Sequence, residues 1–178
     1  MDRLNFNTKL YEVCSDDDLR PTLCCIHFHN EYAYATDGCI VIKQSLEYHF
    51  VIHPELLNGK RLHRDNYKAI MQFDTAECFD NGIACKSSDG CSAFFDFFND
   101  ESPFLNFESV LSARPDQPVS FIGVNPIKLA KLAKAFHSPS GALRLTFSGK
   151  ESSILVDVPG IDNQLGAIMP VVLNDTLF

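Results

Sequence analysis

The chain has 178 residues, of which 46% are hydrophobic and 21% charged, and its net charge is −8. This size and apolar content exclude wholesale disorder and allow one sizeable core, or one domain plus a fragment of a second. The negative charge excludes a protein that simply coats nucleic acid, and no apolar run approaches the roughly 20 residues that span a bilayer.

The N-terminal Met1-Asp2-Arg3-Leu4-Asn5 has no basic region followed by an apolar stretch. No signal peptide is read, and the cytoplasm is the expected compartment. The cysteines are odd in number and scattered. They are read as reduced thiols, mostly buried in strands.

In chain order, residues 4–13 are read as a first strand, broken by Ser15-Asp16-Asp17-Asp18. Pro21 marks a boundary, because it cannot donate a backbone hydrogen bond. Residues 22–28 form a strand and Tyr32–Thr36 runs back. Asp37-Gly38 is a tight-turn signal, followed by a buried strand at 39–42 and another at 48–52. His53-Pro54 opens a segment of helical spacing through Leu57, Leu62 and Ile70, interrupted by Asn58-Gly59.

Three strands follow at 71–79, 83–87 and 91–98, separated by the turn sequences Asp80-Asn81-Gly82 and Ser88-Asp89-Gly90. A polar loop leads to Phe104-Leu105-Asn106-Phe107 and a short turn or helix through Val110-Leu111. Asn125-Pro126 starts the best-defined helix, with Asn as N-cap and Pro at the first position. Leu129, Leu132, Ala133 and Phe136 form its core stripe. Leu143, Leu145 and Phe147 alternate with polar residues as a half-buried strand. Ile154, Val156 and Val158 lie on the next, and residues 167–171 form the last. A strand, a helix and three strands thus recur around 48–98 and 119–171, and the first 46 residues repeat the order with a reduced helix.

Charge is unevenly spread. Between Asp116 and Glu151 there is no acid, while Lys128, Lys131, Lys134, Arg144 and Lys150 are all basic. A second basic stretch holds Lys60, Arg61, Arg64 and Lys68, with Asp65 as its one acid. Two readings stand: two solvated helix faces, or an acidic body with its basic elements on one surface.

No catalytic motif is found. Cys24-Cys25-Ile26-His27-Phe28-His29 has no second ligand pair at zinc-like spacing, so strand residues are the preferred reading. No cofactor or metal is expected, and Asp16-Asp17-Asp18 is read as a solvated turn.

Three stretches, in order, resemble the bacterial DNA polymerase sliding clamp family. They are Arg20-Pro21-Thr22-Leu23 with Tyr34-Ala35-Thr36-Asp37-Gly38, then Pro103-Phe104-Leu105-Asn106-Phe107-Glu108-Ser109-Val110-Leu111, then Ala167-Ile168-Met169-Pro170-Val171-Val172-Leu173. The resemblance implies an α+β, DNA-clamp-like fold of antiparallel sheets with two helices on one side. Residues 1–114 are similar to the middle clamp domain, as two strand-rich half-units, the first with a reduced helix. Residues 115–178 are similar to a further half-unit with a C-terminal tail; a first domain and half of the last have no counterpart.

The resemblance also implies a non-enzymatic protein that binds DNA polymerase or other clamp-binding replication and repair proteins. It implies non-specific contact with double-stranded DNA, a homo-oligomer and no membrane. The peptide pocket would be Thr36, Gly38, Val41, Val110, Ile168, Met169, Pro170 and Val171, unless these apolar residues are simply core. Cys39-Ile40 stand where the family has His-Arg, Leu105 replaces a Pro and Ser109 an Arg, which bears on peptide preference. Lys60, Arg61, Arg64, Lys68, Lys128, Lys131 and Lys134 would face DNA, through phosphates. The alternative is a clamp-fold interaction module that binds peptides or a host clamp without encircling DNA. In the family, clamp-binding peptides often end in Leu-Phe, so the tail Asn174-Asp175-Thr176-Leu177-Phe178 is read as able to act as a ligand for such a groove; the favoured alternative is a frayed tail or one packed against its own strand.

Overall fold

Turn chemistry sets the first strands. The computed structural model describes residues 8–48, 51–99, 102–112, 119 and 121–173. Strands β1 (Cys25–His29), β2 (Tyr32–Thr36) and β3 (Ile40–Ser45) form an antiparallel meander. Gly38 takes φ +90°, a conformation that L side chains resist, so the β2–β3 turn needs glycine there. After β4 (Val51–Ile52) come β5 (Arg61–His63), helix α1 (Arg64–Ile70), β6 (Thr75–Phe79), β7 (Gly82–Lys86) and β8 (Ser92–Asp96). The one-turn helix α2 (Glu108–Leu111) and α3 (Pro126–Ala135) precede β9 (Arg144–Thr146), β10 (Ile154–Val158) and β11 (Ile161–Ile168).

The strands form a seven-stranded sheet in the order β5-β1-β2-β3-β11-β10-β9 and a four-stranded sheet in the order β4-β6-β7-β8. Pairing is antiparallel apart from β4 with β6, which is parallel among the described strands. The join between β3 and β11 carries the first sheet across the boundary expected near residue 114: Val41 opposes Ala167 and Ile40 opposes Ile168.

Alternation along the strands gives the large sheet two apolar faces. Ile26, Phe28, Ile40, Ile42, Ile154, Val156 and Ile168 turn into the main core with Tyr67 and Ile70 of α1 and Leu132 and Ala135 of α3. Ala76, Cys78, Ile83 and Cys85 of the small sheet close the same core. The opposite face carries Tyr34, Val41 and Ala167, covered by Phe107 and Leu111. Helices α1 and α3 therefore share the core side, both touching a 3-10 turn at Leu10–Glu12, while α2 lies on the other face.

Several expectations need correction. The described part of the expected strand at 4–13 is this 3-10 turn. Leu10 and Val13 are fully buried at i, i+3 spacing, which mimics imperfect alternation. Residues 22–24 belong to a second 3-10 turn, Pro21–Cys24, begun by the proline, so β1 starts at Cys25. The single helical segment from His53 divides into a 3-10 turn (Pro54–Leu57), β5 and α1, because Gly59 takes φ +76° and ends the first turn. The two helices expected on one side are α1 and α3, and the expected short turn or helix at Val110-Leu111 is α2. In α3 the buried side is Leu132, Ala135 and Phe136, while Ala133 is exposed. The last strand runs earlier, Ile161–Ile168, and Pro170 stops it. Of the cysteines, Cys39 and Cys91 sit exposed in turns while the other five are buried. No helix among the described residues is long and apolar enough to cross a membrane.

Candidate functional site

The β2–β3 turn is fixed from several directions. Thr36 Oγ1 donates to the Ile40 carbonyl at 2.6 Å and accepts from Gly38 N at 3.0 Å. Asp37 Oδ1 accepts from Cys39 N and Ile40 N at 3.0 and 3.1 Å. Its other oxygen accepts from Lys128 Nζ at 2.7 Å and lies 3.5 Å from Lys131 Nζ, both on α3. Burial alone would raise the Asp37 carboxyl; the Lys128 ammonium and the two backbone N–H groups outweigh it and hold the carboxyl below its ordinary range.

The C-terminal strand meets this turn directly, since Met169 N donates to the Cys39 carbonyl at 2.9 Å. On the same side of the sheet, the segment at 102–112 lies against the strands. Phe107 stacks on Tyr34 with ring centroids 4.8 Å apart. The Tyr34 hydroxyl and Lys43 Nζ both donate to Glu108 at 2.7 Å. Ser153 Oγ donates to the Val110 carbonyl at 2.8 Å, which ties α2 to the loop before β10. The segments at 36–41, 107–111 and 167–169 thus come together around one apolar cluster.

The eight expected pocket residues divide by exposure. Thr36, Val41 and Ile168 are buried, Val110 and Pro170 half-buried, and Gly38, Met169 and Val171 exposed. Val41 and Val110 belong to the cluster under the site. Ile168 does not, because alternation turns it into the main core, and Ala167 takes its place. Val171 pairs with Gly123 through an isolated bridge. Beside it a cavity of about 190 Å³ is lined by Phe121, Gly123, Lys150, Val171 and Leu173, with Lys150 Nζ 4.2 Å from the Phe121 ring centre. Sequence patterning did not place Phe121, Lys150 and Leu173 together; only their exposed apolar or cationic character could have marked them. The tail at 174–178 lies outside the described residues.

The expected DNA-facing basic residues are largely engaged within the fold. Arg61 is 6% exposed, donates from its guanidinium to the Ser102 carbonyl at 2.6 Å, and lies 5.2 Å from the Phe104 ring centre. It is a core anchor for the 102–107 segment rather than a surface cation. We expect Arg61→Ala to cost about 2–4 kcal/mol in urea unfolding, through a lost hydrogen bond and a lost packed stem, and Arg61→Lys to recover little. Lys60 Nζ donates to the Asp80 carbonyl at 2.8 Å. Arg64 is held by the Ser15 carbonyl at 2.9 Å and by the Asp16 carboxylate, and Lys131 Nζ by the Cys14 carbonyl at 2.7 Å. Arg64 of α1 and Lys131 of α3 therefore grip the same 14–16 segment from two sides. Lys68 lies 5.4 Å from the Tyr11 ring centre. Lys134 is exposed and makes no ion pair among the described residues.

A larger hollow of about 560 Å³ lies elsewhere, at the β1–β2 turn, and is lined by His29, Glu31, Glu47, Glu55 and Asn58 among others. His27, in the Cys/His stretch, is fully buried between Phe104 and Phe107, with Nε2 2.8 Å from the Thr22 carbonyl.

No protein-family model matches this chain, and no curated protein matches it in sequence. Solved structures do match in fold. The DNA polymerase sliding clamp of Pseudomonas aeruginosa superposes with a TM-score of 0.64 at 14% identity. The DNA polymerase III subunit beta of Bartonella birtlesii, solved with griselimycin, gives 0.67 at 14%. The beta subunit from Thermotoga maritima gives 0.65 at 9%. The first two alignments cover 96% of this chain and 63% of the clamp chain, so this chain spans less than two thirds of the clamps it matches.

Proposed function

We propose that this chain, whose fold is that of a divergent bacterial sliding clamp, is a non-enzymatic cytoplasmic protein that binds short apolar segments of replication and repair proteins. The binding surface is the junction of the β2–β3 turn, the α2 segment and the end of β11. The observation that carries this reading is the Met169 N–H bond to Cys39 at 2.9 Å, which sets the exposed Met169 beside the rigid Gly38 turn. Met suits such a surface because its thioether side chain is flexible and polarizable. Buried Val41 and half-buried Val110 back the surface with apolar cluster. Titration of a fluorescent peptide ending in Leu-Phe tests it. Met169→Glu should weaken binding at least tenfold, because docking would then bury a carboxylate, without changing the unfolding midpoint. Equal binding by both proteins would count against the reading.

The reading extends to self-assembly. Strand β8 is an edge of the small sheet, with no further strand paired to it among the described residues, and its Phe94 is 46% exposed. An open edge favours addition of a further strand, and head-to-tail addition closes a ring where the rotation between copies permits. A second form of the reading, an interaction module that does not encircle DNA, is favoured by the engagement of Arg61, Arg64, Lys128 and Lys131 within the fold. Solution mass with and without circular duplex DNA separates the two forms.

A further inference from the structure

Three cations on the α1/α3 side, Arg64, Lys128 and Lys131, would offer a duplex a cluster of phosphate donors if they were free. They are not free. Their side chains are 28%, 31% and 22% exposed, and each is directed at an oxygen of the chain itself. Arg64 donates to the Ser15 carbonyl and to Asp16 and lies 3.7 Å from Asp65 of its own helix, Lys131 donates to the Cys14 carbonyl and reaches toward Asp37, and Lys128 donates to Asp37. The ligands are those a phosphate diester would supply: anionic oxygen and carbonyl-like acceptors at hydrogen-bond distance.

We propose that Asp16 and Asp37 are built-in phosphate surrogates that neutralise the α1/α3 face and keep it from gripping a polyanion. The two act with different permanence. The Asp37 side chain is 3% exposed and also holds the turn N–H groups of Cys39 and Ile40. It is therefore a fixed counter-ion, since removing one partner of a covered pair strands the other. The Asp16 side chain is 74% exposed, so its pair with Arg64 is exchangeable with solvent ions and incoming phosphates. Asp37 also joins the neutralised face to the turn of the peptide surface, because the same carboxylate binds both. The inference concerns this face alone and holds whether or not a peptide binds at Met169.

The test is the salt dependence of binding to a 30-base-pair duplex, measured by anisotropy on the full chain. Asp16→Asn with Asp37→Asn removes both negative charges, while the side-chain amide oxygen that Asp37→Asn introduces can still accept from Cys39 N and Ile40 N. The double variant should bind at least tenfold more tightly than wild type at low salt. Its log–log salt slope should steepen by about 2, one for each carboxylate removed. Asp16→Asn alone, at an exposed position, should show a smaller gain with a slope change of about 1. The control is Asp17→Asn with Asp18→Asn, which removes the same amount of charge beside Asp16 without touching the three cations. An equal gain in the control would reduce the effect to net charge and overturn the proposal. So would unchanged affinity and slope in Asp16→Asn, or in a double variant whose circular dichroism is native.

Discussion

Gly166→Val should lower the unfolding free energy by about 3 kcal/mol, the upper part of the range for overpacking a filled core. Gly166 sits in β11 between Ile42 and Val156. A Cβ there would meet Phe136 Cζ at 2.9 Å, the Val41 carbonyl oxygen at 3.0 Å and Leu132 Cδ1 at 3.2 Å. Phe136 can turn aside, but Val41 O is backbone in a paired strand and Leu132 is fully buried. Accommodation would therefore require α3 to move away from the sheet. That movement would also lengthen the bonds from Lys128 and Lys131 to Asp37, so the turn beside Met169 would loosen with the core. Gly166→Ala should show the same effects at roughly half the size or less. Urea unfolding measures the first effect, and hydrogen exchange at Cys39 and Ile40 the second. A fully stable Gly166→Val protein would mean that α3 does not pack as closely as described.

Asp37→Ala should cost a similar amount, about 3 kcal/mol, because it strands two partly covered ammonium groups and two turn N–H donors at once. Asp37→Asn should cost less, since it can keep the two N–H bonds. The acid dependence gives a second handle. The folded Asp37 carboxyl titrates below its ordinary value of 3.8. The folded state therefore holds the ionised form more tightly than the unfolded chain does. Its stabilising share is fully present above that ordinary value and is lost as pH falls through the lower folded value. The stability gap between wild type and Asp37→Asn should be constant near neutral pH and shrink at acid pH. A gap that widened on acidification would contradict the ion-pair account.

How far the sequence foretells this fold depends on whether the deciding interaction is local. Helix α3 was legible because its start is written in adjacent residues: Asn125 Oδ1 accepts from Ile127 N and Lys128 N, and Pro126 needs no donor. The hairpins at Asp80-Asn81 and Ser88-Asp89-Gly90 were legible for the same reason. The 3-10 turn at Leu10–Glu12 was not, because its short buried spacing imitates a strand. The beginning of β11 was missed because Asp162, Asn163 and Gln164 carry no strand signal; that strand is held by β3 and β10 on either side.

For the candidate site, the three segments singled out in the sequence meet in the fold, but the pattern could not orient every side chain. Ile168 matches the pocket pattern, yet the register with Ile40 turns it inward. The cations show the limit most clearly. Lys128 and Asp37 are 91 positions apart, and Arg64 and Asp16 are 48 apart. A basic helix read alone therefore looked like a free face. Arg61 lay in a charged run, and only the fold reveals that Phe104 and Ser102 enclose it.

A peptide of the clamp-binding kind is expected to dock at the turn–strand junction. The most direct measurement is a backbone amide NMR titration of the full chain with a short peptide ending in Leu-Phe. Saturable shifts are expected at Thr36, Gly38, Val41, Val110, Met169 and Val171, together with their loss in Met169→Glu. No shift at these amides, or shifts confined to the acidic hollow around His29 and Glu47, would contradict this docking.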